Sequence, residues 1–150
     1  VELPDEVLQD PTWKRSGHTE RGRDKCRVPM PWSGDTPPFG FSTSADTWLP
    51  MPQDWATLTV EKQRADADST LSFFQQAIEL RRARGEFDGD EIDWLTSTHD
   101  ALIFRRRGGG LVCALNAGRR PIPLPPGELI LASAPPADGK LPRDAAAWLT

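Results

Sequence analysis

The spacing of apolar residues changes twice along this chain. Over residues 1–59 the large apolar side chains stand singly among prolines and polar residues, with neither a helical nor a strand period. Over 68–84 the pattern becomes helical. Leu71, Phe74 and Ile78 fall on one stripe, which Phe73, Ala77 and Leu80 widen. Asp68 or Ser69 can cap the start, Arg81, Arg82 and Arg84 suit the negative end of the dipole, and Gly85 suits a left-handed exit. A stripe this wide predicts packing on a sheet or on a barrel wall.

Past residue 90 the period falls to two. Short strands are predicted at 92–95, 101–106, 111–116, 121–124, 129–132 and 146–149. Gly108-Gly109-Gly110 and Asn116-Ala117-Gly118 read as hairpin turns, and prolines at 121, 123 and 125 confine that strand to an edge. Leu111, Cys113 and Leu115 share a face, which makes Cys113 a small core residue. The polar stretch 85–90 is the expected boundary. It divides the chain into 1–85, loops and one helix, and 86–150, a small all-β antiparallel sandwich, an α+β combination. The first part carries many aromatic and proline residues, at 37–41 and 48–52 among others, but no evident surface to cover them. A structureless loop of such length is expected only where it is functional or lies over something else.

Charge and composition narrow the classes. Lys plus Arg is 18 against 22 Asp plus Glu, a net charge of −4, so neither nucleic acid nor an acidic membrane surface is an expected partner. No run approaches the length of a transmembrane helix. Cys26 and Cys113 lie far apart without metal-ligand spacing and are read as reduced thiols, with a cytoplasmic location expected. His18 reads as a solvated loop residue, and Ser97-Thr98-His99-Asp100 as a turn between strands rather than a catalytic dyad. No metal site and no cofactor is expected.

The densest chemistry lies in Gly22-Arg23-Asp24-Lys25-Cys26-Arg27-Val28-Pro29-Met30-Pro31-Trp32. The prolines exclude helix, so the run is an extended or turning loop. Arg23 and Arg27 each offer a planar fork to a carboxylate or a sugar hydroxyl, Asp24 is the nearest acceptor, and Trp32 offers an apolar face. Two readings fit. One is a cleft for a polar ligand; the other is a surface loop held by an Arg–Asp pair, with Trp32 tucked into a core.

Together with Gly40-Phe41, Trp48-Leu49-Pro50 and Trp55, this run resembles the segment after the last barrel strand of α-glucosidases in glycoside hydrolase family 13. Val60, Gln63, Asp68-Ser69-Thr70-Leu71 and Leu80-Arg81-Arg82 are similar to that family's final barrel helix, and the strands after Gly85 to its C-terminal β-domain of maltogenic-amylase type. Lys25 departs from the pattern, which has a small or amide residue there. The resemblance implies the tail of a (β/α)8 barrel followed by a β-sandwich. It implies a parent α-glucosidase acting on oligosaccharides by a retaining mechanism, with its carboxylate pair and the rest of the barrel upstream of Val1. The chain by itself is then expected to be inactive, with no catalytic residue of its own. Arg23, Asp24 and Arg27 would line the substrate side of the cleft. The alternatives are a stand-alone carbohydrate-binding module and a structural β-sandwich.

Overall fold

The computed structural model describes the backbone of residues 1–150 and every side chain except that of Ser97. The fold comprises two compact units, Val1–Ser72 and Phe73–Thr150.

The first unit is mainly loop, but it is not without a core. Leu3, Leu8 and Leu49 are buried together, with Val7, Trp13 and Val28 packed against them, and Phe39 is also fully buried. Some of the single apolar residues of the first sixty positions therefore find cover within the unit, contrary to expectation, whereas Met30, Trp32, Phe41 and Trp48 stay about half exposed or more. Two short helices also appear where no period was visible. The first, α1 (Pro11–Arg15), needs no amphipathic stripe because its start is fixed chemically. Asp10 accepts the Thr12 amide from the cap position and Pro11 presets the first helical turn. The second, α2 (Val60–Ala65), starts at Thr59, whose hydroxyl accepts the Lys62 amide. Its two leading N–H groups, on Val60 and Glu61, donate to the carbonyls of Pro31 and Trp32. Donors that a helix start leaves unpaired are thus spent on pinning the proline-rich loop.

The long helix α3 (Thr70–Ala83) starts as the sequence predicts, with Ser69 Oγ accepting the Ser72 amide at 3.1 Å. Its end differs. Gly85 is not a left-handed exit but opens a 3-10 turn, Gly85–Phe87, which carries the chain toward the sheet. No residue of α3 is buried, and Phe74 and Ile78 are about half exposed.

Seven strands follow: β1 (Ile92–Ser97), β2 (Ala101–Arg106), β3 (Val112–Asn116), β4 (Ile122–Pro123), β5 (Leu129–Ala132), β6 (Lys140–Leu141) and β7 (Ala145–Leu149). Five form one antiparallel sheet in the order β1-β2-β3-β7-β5, and β4 pairs with β6 in a two-stranded ribbon. Strand β6 has two residues, too few for any period to reveal. The core lies between sheet and ribbon, where Val112, Ala114, Ala145, Ala147 and Leu149 meet Leu141, with Ile122 and Leu124 alongside.

Two expectations are corrected here. The core face of β3 is the one bearing Val112, Ala114 and Asn116, so Cys113 lies on the opposite, half-covered face with Leu115. Leu111 is buried as well, but it precedes the strand. Asn116-Ala117-Gly118 is not a hairpin turn, because β3 and β4 belong to different sheets. The fully buried Asn116 amide instead donates to the carbonyls of Arg120, Leu141 and Pro142, and its Oδ1 accepts the Gly118 amide. One side chain thus ties the sheet to the ribbon.

Candidate active-site loop

The arginine loop is held by two buried carboxylates, one predicted from its motif and one not. Asp24 opens a 3-10 turn, Asp24–Cys26, and its side chain is almost wholly inaccessible. Its Oδ2 accepts the amides of Gln9 at 2.5 Å and Asp10 at 2.7 Å. Its Oδ1 faces Arg27 Nη1 at 3.9 Å. The carboxylate is therefore committed to the chain's own backbone, which makes Asp24 an anchor for the loop.

Asp10 is the residue that sequence reasoning missed. Beyond capping α1, it accepts the backbone amide of Arg23 on Oδ2 at 3.0 Å and Nη1 of Arg27, also at 3.0 Å. The two backbone amides, from Thr12 and Arg23, hold its carboxyl well below the usual carboxylate range, and the Arg27 charge adds to them despite the opposing effect of burial. The readable signal was Asp10-Pro11 itself. An Asp before a Pro is a helix-start signature as well as a turn initiator.

Gly22 explains how the clasp closes. Its φ is +67°, and a Cβ there would stand 2.5 Å from the Asp10 carboxyl carbon. Only glycine lets the chain pass Asp10 this closely.

The three predicted residues thus have distinct settings. Asp24 is inside. Arg27 keeps one nitrogen on Asp10 with its side chain 47% exposed, which leaves the rest of the fork free to donate elsewhere. The Arg23 side chain is exposed, and among the described residues only its backbone amide is engaged with the clasp. Trp32 is tied by its backbone, donating to the Phe39 carbonyl at 2.8 Å, while its side chain is about half exposed rather than tucked into a core. His18 is exposed on a positive-φ residue and rests against Trp13 with ring centres 4.8 Å apart. His99 and Asp100 lie in the β1–β2 turn. No group of three or more potential metal ligands occurs among the described residues. Among the described residues no helix is long and apolar enough to cross a membrane.

An arginine-bearing loop on buried carboxylates is thus followed by a helix and then by a two-layer β-domain. Residues 3–88 match the alpha amylase catalytic domain, and residues 81–148 match a domain of unknown function, DUF3459. The chain belongs to the alpha-amylase family, as the tail of its barrel followed by the small C-terminal β-domain.

A salivary alpha-glucosidase of Aedes aegypti is 34% identical over 129 residues, which is 81% of this chain and 22% of the relative. A probable alpha-glucosidase of Rhizobium meliloti is 34% identical over 77% of this chain and 21% of its own length. Among solved structures, an alpha-glucosyl transfer enzyme superposes with a TM-score of 0.74 at 28% identity, covering all of this chain and 30% of the other. The trehalulose synthase of Pseudomonas mesoacidophila shares the fold at 19% identity, with a TM-score of 0.75 over 99% of this chain and 33% of its own. The chain thus spans about a fifth of the length of the first curated relatives it matches.

Proposed function

We propose that this chain forms part of an α-glucosidase that acts on α-glucosidic bonds of oligosaccharides by a retaining mechanism. Retaining hydrolysis needs two carboxyl groups about 5–5.5 Å apart on either side of the scissile bond. The well-formed clasp carboxylates, Asp10 and Asp24, are both buried and bonded to backbone, so neither serves as nucleophile or acid. The reacting pair belongs to another part of the enzyme, and this chain supplies one wall of the cleft.

The observation that carries the reading is the exposure of two guanidinium groups on a loop whose backbone is fixed from beneath. Asp24 and Asp10 hold that backbone, and Arg23 and Arg27 project as donors toward sugar hydroxyls or a cleft carboxylate. Donors set in advance lose little freedom on binding. In this division of labour Arg23 and Arg27 touch substrate and Asp24 positions them. The boundary between barrel tail and β-domain falls at 85/86. Two unpaired thiols, on Cys26 and Cys113, support a reducing, cytoplasmic setting.

The test is a chimera in which this chain replaces the matching segment of the Rhizobium meliloti relative. Arg23→Ala should lower kcat/KM by roughly 5- to 150-fold, equivalent to about 1–3 kcal/mol for one lost charge-assisted bond, with an unchanged melting temperature. Unchanged kcat/KM would remove Arg23 from the cleft. The 150-residue chain alone should not turn over a chromogenic α-glucoside, and turnover that co-purifies with it would overturn the division of labour.

A further inference from the structure

Trp48 stands 75% exposed on the first unit, more than any other large apolar side chain among the described residues. Tryptophan is ordinarily among the better covered side chains, so an indole left in water calls for a reason in its surroundings. Its place is fixed by its neighbours. Leu49 is fully buried and packs with Leu3 and Leu8, which turns the adjacent side chain outward. The Thr47 hydroxyl donates to the Leu49 carbonyl at 2.6 Å, and Pro50 and Pro52 restrict the backbone beyond it. The ring is therefore held out on stiff chain.

The indole borders a depression of about 390 Å³, within the size range of small-ligand sites. Glu6 and Gln9 line it from one segment, Asp46, Trp48 and Pro50 from another. All five are exposed, and among the described residues no ion pair engages either carboxylate. The Gln9 wall is fixed too, because its backbone amide donates to the buried Asp24 carboxylate at 2.5 Å. An apolar plate beside two carboxylates and an amide suits a pyranose. C–H groups on one face of the sugar stack on the indole, while hydroxyls at its edge donate to Glu6 and Asp46 and accept from the Gln9 amide. Carboxylates beside an aromatic would also attract a cation. An organic cation, however, is held by a cage of aromatic walls, and here Trp48 is the one aromatic side chain of the lining.

We propose that this depression binds a neutral α-glucan oligosaccharide, with Trp48 as the stacking platform and Glu6, Gln9 and Asp46 as partners of its hydroxyls. The choice of an α-glucan among sugars rests on the reading of the chain as part of an α-glucosidase. None of the four side chains takes part in the Asp10–Asp24 clasp, and none is one of the exposed arginines. Gln9 joins the depression to the clasp through its backbone, so an oligosaccharide held here keeps its glucosyl ends at raised local concentration near the arginine loop. A single plate with exposed polar partners gives weak binding, with a Kd of about 1–10 mM.

The experiment labels the protein with 5-fluorotryptophan and follows the fluorine resonance of Trp48, identified by its loss in Trp48→Phe. Maltotriose is added to the 150-residue chain and to the chimera described above. A saturable shift in the millimolar range is expected in both. Glu6→Gln combined with Asp46→Asn should weaken it roughly 10-fold or more, while the melting temperature stays within about 2 °C because both residues are exposed. Choline chloride should leave the resonance in place. The absence of a saturable shift up to about 50 mM maltotriose would overturn the proposal, as would a shift that the double substitution leaves unchanged. A resonance that moves with choline and not with maltotriose would make this a cation site. One that moves in the chain and not in the chimera would mean that the parent enzyme covers the indole. Either result also overturns the proposal. Turnover of an α-glucoside is scored separately. A chimera that turns over with a silent Trp48 counts against this site alone, and one whose Trp48 responds without turnover counts against the proposed activity alone.

Discussion

Asp10 and Asp24 fasten each other's strands of loop. The Asp24 carboxylate takes the Asp10 amide at 2.7 Å, and the Asp10 carboxylate takes the Arg23 amide, next to Asp24, at 3.0 Å. Each residue thus presents its side chain to backbone on the other's segment. Two loops without a shared sheet or helix are joined by the equivalent of a short ladder built from carboxylates.

This arrangement fixes the sign of a pH effect. The folded Asp10 carboxyl titrates below its ordinary value of 3.8, so its contribution is fully present above that value. It is lost as pH falls through the ordinary value toward the lower folded one. Melting temperature should therefore decline below about pH 4. In Asp10→Asn that decline should be shallower from a lower starting stability. A variant with the parent's acid profile would show that the titration lies elsewhere.

Gly22→Ala tests the close passage. The new methyl would meet the Asp10 carboxyl in a backbone conformation that alanine resists. A cost of about 1–3 kcal/mol in chemical denaturation is expected, typical for strain at one residue. Asp10→Gly should recover part of it in the double variant, because the side-chain carbons that the methyl meets, Cγ at 2.5 Å and Cβ at 2.7 Å, are then gone. Additive losses would show that backbone strain alone is responsible.

Asn116 is the corresponding test in the β-domain. Asn116→Ala removes a donor shared by three carbonyls and should cost about 2–3 kcal/mol. Asn116→Asp, nearly the same shape, should be worse, since it sets a buried carboxylate against those carbonyls. Equal or milder loss in the Asp variant would show that the amide donors are not what binds the layers.

The two thiols should separate in an alkylation time course. Cys26 is exposed on its 3-10 turn, whereas burial pushes the Cys113 thiol up, away from the reactive thiolate. One thiol should react quickly at pH 8 and the second slowly, with the fast site mapping to Cys26. Comparable rates would mean that the face carrying Cys113 opens readily.

What could be read from the sequence follows how locally each feature is determined. Helix α3 and strands β1, β2, β3, β5 and β7 announce themselves because hydrophobic period and turn residues agree there. Helices α1 and α2 are each six residues or fewer and rest on caps and on borrowed carbonyls, so no periodicity marks them. The alternation in β3 was read one residue out of phase. Leu111, Cys113 and Leu115 are bulkier than Ala114 and outvoted it, whereas Asn116 is polar and is nevertheless the most buried position of the strand. At the loop, Arg23, Asp24 and Arg27 stood out as a cluster. Their true partner Asp10 lies 13 to 17 residues away, a pairing that only the folded chain reveals.

The tip of the β2–β3 hairpin rests directly on the segment that follows α3. The Glu86 carbonyl accepts the Leu111 amide, and any Cβ at Gly109 would overlap that carbonyl. Gly89 likewise lies against the Arg107 backbone. A stretch that looks like a slack tether in the sequence is therefore a joint with no play. Among related chains, lengthening should be resisted at the tip around Gly109, where one added atom has nowhere to go.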